Sequence, residues 1–214
     1  MNLPRFGDGS LTGMKWLAVV LMIGDHVDWM LCGGELGFHA TIGRIVFPMF
    51  AWAFAYNLAR PGAREQAAFR SVTRLTLLGL AAMPAYVILS GVLPLNIMFT
   101  LAAFAAIVAM VERGDTFPAV VTFVVAGAVV DYAWPGLAVC LSLWAAYRYD
   151  SRWIVAAGFS LAILEVINGS QWALAALPVI AVASMVRVDL PRAQIAFYAV
   201  YPVHLTVLAI AAVL

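Results

Sequence analysis

The chain is poor in charge: Asp, Glu, Lys and Arg make up 11% of its 214 residues, against about 25% in an ordinary soluble domain. With 65% hydrophobic residues and a mean hydropathy of +0.98, the composition points to an integral membrane protein. The net charge of +1 carries no electrostatic footprint for nucleic acid. Cysteine is scarce as well. Cys32 ends the first apolar run and Cys140 sits inside a later one, so neither a disulfide framework nor a metal site is indicated. No Ser or Cys stands beside a histidine in a nucleophile motif, which argues against a covalent peptide-bond enzyme and leaves direct group transfer open. Short alternating strands are missing too. The apolar runs are continuous and rich in Ala and Leu, which disfavours a barrel, and no repeated pair of Gly/Pro-broken spans of the transporter kind is visible.

What remains is an all-α, polytopic transmembrane helix bundle. By the length a helix needs to cross a bilayer, about nine spans are expected: Lys15 to Leu31, Thr41 to Leu58, Ser71 to Ser90, Pro94 to Val111, Pro118 to Tyr132, Pro135 to Tyr147, Trp153 to Ile167, Trp172 to Val186 and Ala193 to Val213. Residues 1–14 read as a polar, Gly-rich cytoplasmic lead-in without a cleavage pattern, and 15–214 as one membrane domain. With the N-terminus inside, every Lys and Arg except Arg44, including Arg64 and Arg192, falls on an inner loop or inner helix end. The positive-inside rule therefore supports the span count and puts the C-terminus on the periplasmic side. The short outer loops gather Glu35, His39, Asp131, Asn168 and Gln171 at the opposite face. Trp29, Tyr132, Trp134 and Trp172 lie near the same ends, as an interfacial aromatic belt would.

The stretch KWLAVVLMIGDHVDWML carries Asp25, His26 and Asp28 within a span. Ionisable groups there are costly and mark functional sites by default. Asp25 and Asp28 share a helix face, and His26 is turned about 100° away from Asp25. His204 in the last span reaches a similar depth, so the two histidines are expected to meet. An imidazole beside a carboxylate suits proton transfer, with Asp25 holding His26 as general base; the alternative is a carboxylate that only neutralises Arg44. Gly43 lets the chain approach a neighbour closely, and Pro48 is expected to bend the second span. Arg44 offers a fork for a carboxylate or phosphate-like oxygen pair, or a salt bridge to Asp25, Asp28 or Glu35. Asn96 and Thr100 are i, i+4 neighbours, forming either interhelical glue or a cavity wall. Glu165 reads as more deeply placed than Asp131. In the last span Phe197, Tyr201 and His204 follow one stripe, and Pro202 is expected to free a carbonyl next to His204.

Five motifs in order, K-x(9)-DH, GR-x-x-FP-x-F, LN-x-x-FTL, DY-x-x-x-G and FY-x-x-YP-x-HL, resemble the TraX family of membrane proteins over nearly the whole chain. GDH followed by NLARPGA and INGSQWALAALP is most similar to its TrbP branch from conjugative plasmids. The resemblance implies a bacterial inner-membrane acyltransferase in conjugative pilin maturation, with acetyl-CoA as donor and a pilin subunit as partner among membrane lipids. It carries site roles to Asp25, His26, Arg44, Asn96, Thr100, Tyr201 and His204; Asp28 and Glu165 join as substrate-binding candidates from the residue pattern alone. The TrbP branch also admits head-to-tail pilin cyclisation, and a non-enzymatic pilin chaperone stands as a further alternative.

Overall fold

A computed structural model describes residues 3–60, 64–191 and 193–214. The first two residues of the lead-in, the turn residues 61–63 and the inner-end Arg192 lie outside the described residues. The chain is all-helical, and among the described residues only a lone parallel bridge, Leu95 to Val130, resembles sheet.

Each expected apolar segment is helical. α1 is Asp8–Leu31, and a 3-10 turn, Ile42–Ile45, leads into α2, Val46–Ala59. Then come α3 (Arg64–Ser90), α4 (Ile97–Arg113), α5 (Thr116–Gly127) and α6 (Ala133–Arg148). The seventh segment is broken at Leu164 into α7 (Trp153–Ile163) and the single turn α8 (Glu165–Asn168). A second 3-10 turn, Trp172–Ala175, opens α9 (Ala176–Met185), and α10 is Gln194–Val213.

Several boundaries differ from expectation for local reasons. α1 begins at Asp8 rather than Lys15 because an acidic residue suits a helix N-terminus and because Leu11 and Met14 are buried in the core. Pro48 does not bend a span. It lies in the first turn of α2, where its missing N–H would have had no helical acceptor.

α2 is the centre of the molecule: 67% of its apolar segment is buried, against 28% for α3 and 22% for α10. It packs on α1, α6, α3 and α9. Phe47, Met49, Trp52 and Ala55 meet Phe104, Leu137 and Leu143 in the main core. A second cluster, with Met22, Ala82, Tyr86, Tyr201 and Leu205, joins α1, α3 and α10. The outer faces of α3, α5, α7 and α10 show Leu77, Leu80, Val120, Phe159 and Val207, the apolar surface a lipid environment requires.

Contacts along the chain show successive helices running up and down. At one end Asp8 pairs with Arg60, Glu65 with Arg113, and Glu112 with Arg148, while the Ser10 hydroxyl donates to Val186 O. At the other, Thr100 donates to Asp131 O and Ser170 to Ala40 O. Among the described residues, three segments are long and apolar enough to cross a membrane by length and composition, Ile42–Ala59, Glu65–Ser90 and Ile195–Val213.

Candidate functional site

The ionisable residues of α1 face two ways, as successive positions on a helix must. His26 turns to α10. Its Nδ1 lies 2.6 Å from His204 Nε2, and the two rings are nearly parallel with centroids 4.9 Å apart. His204 Nδ1 is 2.7 Å from Val200 O. A carbonyl only accepts, so His204 carries its proton on Nδ1; with both rings neutral, its Nε2 accepts from His26 Nδ1–H. His26 Nε2 is then an unprotonated nitrogen. The carbonyl used by His204 is one helical turn before it, whereas Pro202 releases the carbonyl of Tyr198, so the expected link between Pro202 and the histidine is not made.

Asp25 faces the loop 32–41 instead. Its Oδ1 lies 2.8 Å from His39 Nδ1, and Arg44 Nη2 lies 3.0 Å from His39 Nε2. Arginine can only donate, so His39 is neutral, accepts at Nε2 and donates from Nδ1 to the Asp25 carboxylate. The expected pairing of Asp25 with His26 is thus replaced by Asp25 with His39, and the expected salt bridge from Arg44 to a carboxylate runs through an imidazole. Trp29 stacks on His39 at 4.6 Å between centroids. Gly43 sits against the Asp25 carboxyl so closely that any Cβ would overlap it, which is the close approach its position suggests.

Asp28 organises that loop. The residue is fully buried, and its Oδ1 accepts from Leu36 N at 3.0 Å while Oδ2 accepts from His39 N at 2.8 Å. Its backbone carbonyl takes Cys32 N and Gly34 N. Gly33, Gly34 and Gly37 supply the positive φ angles of the turn. The two carboxyl oxygens thus hold the loop at Leu36 and at His39, and Asp28 does not line the cavity between the helices.

Between α1, α2, α4 and α10 lies a cavity of about 110 Å³, room for a few waters or one small acyl group. Asp25 and His26 line it together with Tyr86, Asp131, Tyr132 and Tyr201, among apolar residues such as Met22, Phe47 and Leu101. Tyr201 stands edge-on to both histidine rings.

With this arrangement in hand, comparison with known proteins is informative. A model of the family described as TraX protein matches residues 10–212. The chain belongs to the TraX family. No curated protein and no solved structure matches it. Membership makes it a membrane protein of the conjugation-related, pilin-processing kind.

The remaining candidate residues of this TraX chain divide. Asn96 is fully buried; its Oδ1 accepts from Met98 N, capping α4, and its Nδ2 donates to Gly79 O of α3. Thr100 ties α4 to the turn before α6. Both act as interhelical glue rather than cavity wall. Glu165 is exposed, bonds to Gln171 and does not line the cavity, whereas Asp131 does, so their expected depths are reversed. Tyr132 is no interfacial anchor but stacks on Phe47 at 4.1 Å. Sequence reasoning missed His39 and Asn168 as members of the cluster. Arg44 Nη1 lies 3.4 Å from Asn168 Oδ1. The one signal pointing to them was that both sit on outer loops, at the face where Arg44 is the sole basic residue.

Proposed function

We propose that this TraX protein is a bacterial inner-membrane acyltransferase in conjugative pilin maturation, crossing the membrane nine times with its N-terminus cytoplasmic and its C-terminus periplasmic. The donor is acetyl-CoA and the acceptor an amine of the pilin subunit. The observation that carries the reading is the hydrogen-bond order from Val200 through His204 to His26, which leaves His26 Nε2 as a base on a residue lining the cavity.

In this mechanism the acceptor nitrogen attacks the thioester carbonyl carbon, and His26 Nε2 takes the proton the nitrogen loses. The new amide bond replaces the carbon–sulfur bond, and CoA leaves as a thiolate that recovers a proton from the imidazolium. His204 Nε2 takes part of the charge gained by His26, through the short bond between them, and the Asp25 carboxylate beside the ring balances it. Tyr201, buried and edge-on to both histidine rings, forms part of the cavity wall beside them. The up-and-down contacts between helix ends and the gathering of basic residues at one end favour the nine-span topology.

The test is the intact mass of pilin from cells with the protein, without it, and with His26→Ala made at normal level. A gain of one acetyl mass that needs the protein and His26 is the expected result. A loss of one water would assign cyclisation instead, and an unchanged mass in all three would leave a chaperone role.

A further inference from the structure

The motifs K-x(9)-DH and FY-x-x-YP-x-HL open on Lys15, Phe197 and Tyr198, residues that the chemistry at His26 does not use. Lys15 Nζ lies 4.5 Å from the centre of the Phe197 ring, Trp16 packs on the same ring at 4.8 Å between centroids, and the Arg74 guanidinium lies 5.9 Å from the centre of the Tyr198 ring. Phe197 also lines the cavity. One ring therefore borders both a cation and the space that holds His26. α10 begins at Gln194, and a helix N-terminus favours anions. Asp8, Glu65 and Glu112, acidic residues of this end, already pair with Arg60, Arg113 and Arg148. From here a stripe leads outward along α1: Lys15, Val19, Met22 and His26 follow one another at helical spacing on one face. Phe197, Val200, Tyr201 and His204 do the same on α10, and the two helices pack together. Val19, Met22, Val200 and Tyr201 all line the cavity, so the stripes wall one track with a cation at one end and the base at the other.

We infer that Lys15 and Arg74 hold the phosphates of the acyl-CoA donor, and that the seam between α1 and α10 takes its pantetheine arm. The inference deepens the acyl-transfer reading and rests on it for the choice of donor. Length carries the argument. From Lys15 to His26 the helix rises about 16 Å, and the arm between phosphorus and sulfur has the length of roughly four extended residues, about 15 Å. With its phosphates at Lys15, the donor places its thioester beside His26. A lysine ammonium resting on a ring keeps N–H groups for phosphate oxygens, and the apolar side chains of the track suit the methyl and methylene groups of the arm. The cavity of about 110 Å³ holds the acyl end alone. The arm therefore takes the place of the Phe197 ring, which turns aside when the phosphates draw Lys15 from it. The phosphate of a lipid headgroup has the same chemistry as that of CoA, but it carries no arm to the base.

Chemical trapping reads the track without catalysis. In a Cys32→Ser, Cys140→Ala background, His26→Cys protein in lipid nanodiscs is given the 2-pyridyl disulfide of CoA. The introduced thiolate attacks the CoA sulfur, a disulfide between protein and CoA forms, and pyridine-2-thione leaves; intact mass follows the adduct with time. The 2-pyridyl disulfide of pantetheine, which lacks the phosphates, is the control. The CoA reagent should react faster than the control, and Lys15→Gln should slow it by about tenfold or more, the scale of one hydrogen bond to a charged group, without changing the control. Lys15→Arg should keep most of the rate. Arg74→Gln, at an exposed position, should also slow the CoA reagent alone, and it decides the matter if Lys15→Gln does not fold. Equal slowing of both reagents would make Lys15 structural and overturn the inference, as would a CoA reagent that neither variant slows. Lipid is distinguished by native mass spectrometry: if Lys15→Gln strips phosphatidylglycerol that the wild type retains and leaves CoA trapping unchanged, the cations belong to a headgroup and the inference falls. Because trapping needs no acyl transfer, unchanged pilin mass would defeat the acyltransferase reading and leave a trapped CoA standing.

Discussion

An imidazole held between a carboxylate and a guanidinium has its tautomer chosen for it, and His39 is in that position. The adjacent pair, His26 and His204, is ordered by a backbone carbonyl instead. The two histidines of α1 and its loop therefore differ in kind: His39 has both nitrogens committed, and His26 keeps one. On the acyltransferase reading proposed above, removing His26 takes away the base, so pilin acetylation by His26→Ala is expected to fall by about 10²- to 10⁴-fold, the usual contribution of a positioned base. His204→Phe leaves that base but frees its tautomer, and a smaller fall is expected; a larger loss in His204→Phe than in His26→Ala, measured as acetylated pilin per unit time, would show that His204 rather than His26 is the base. Gly43→Ala acts on the carboxylate. A methyl group there overlaps the Asp25 carboxyl, and overpacking of this type costs about 1–3 kcal/mol. A lower thermal midpoint in nanodiscs, with weakened acetylation, is the expected outcome, whereas an unchanged midpoint would mean that Asp25 is free to move.

The loop between α1 and α2 is the element that turns an apolar helix end into a polar site. Its strain-free turn at three glycines and its two bonds to the Asp28 carboxylate decide where His39 goes. Hydrogen bonds to a charged group contribute about 1.5–3 kcal/mol, and Asn in place of Asp28 can accept only one of the two amides well. Asp28→Asn is therefore expected to speed amide hydrogen exchange at Leu36 and His39 while leaving exchange in α2 unchanged. Uniform acceleration throughout the bundle would mean the carboxylate supports the fold rather than the loop. At this scale the limits of sequence are visible. The helical segments and the meeting of His26 with His204 were legible, because periodicity and depth along a span are local quantities. The partner of Asp25 was not, because it depends on how a glycine-rich loop folds back over fourteen residues, and nothing in a period or a charge count encodes that path. Asn168 escaped for the same reason: its contact with Arg44 joins elements far apart in the chain.

At the scale of the whole molecule the charges are sorted by end. The ion pairs Asp8–Arg60, Glu65–Arg113 and Glu112–Arg148 mark one end, and Asp25, Asp28, Asp131 and Glu165 the other, with Arg44 alone among them. Helix length complicates the picture. α5 has twelve residues and so rises about 18 Å, and α9 has ten, about 15 Å even before its 3-10 turn is added; both fall short of the roughly 30 Å of hydrocarbon in a bilayer. Such segments cross only if the bilayer thins around them, at a modest cost for each ångström of mismatch. Whether they do is decided by which side their flanking turns reach. In a Cys32→Ser, Cys140→Ala background, single cysteines at Glu35, Val92 and Gln171 should react with a membrane-impermeant maleimide added to intact spheroplasts. Cysteines at Asp115, Tyr149 and Asp189 should react only after permeabilisation. The informative pairs are Asp115 and Tyr149, which bracket α5 together with α6, and Gln171 and Asp189, which bracket α9. If Gln171 and Asp189 label together, α9 does not cross, the bundle has fewer than nine spans, and the C-terminal end of α10 moves to the cytoplasmic side.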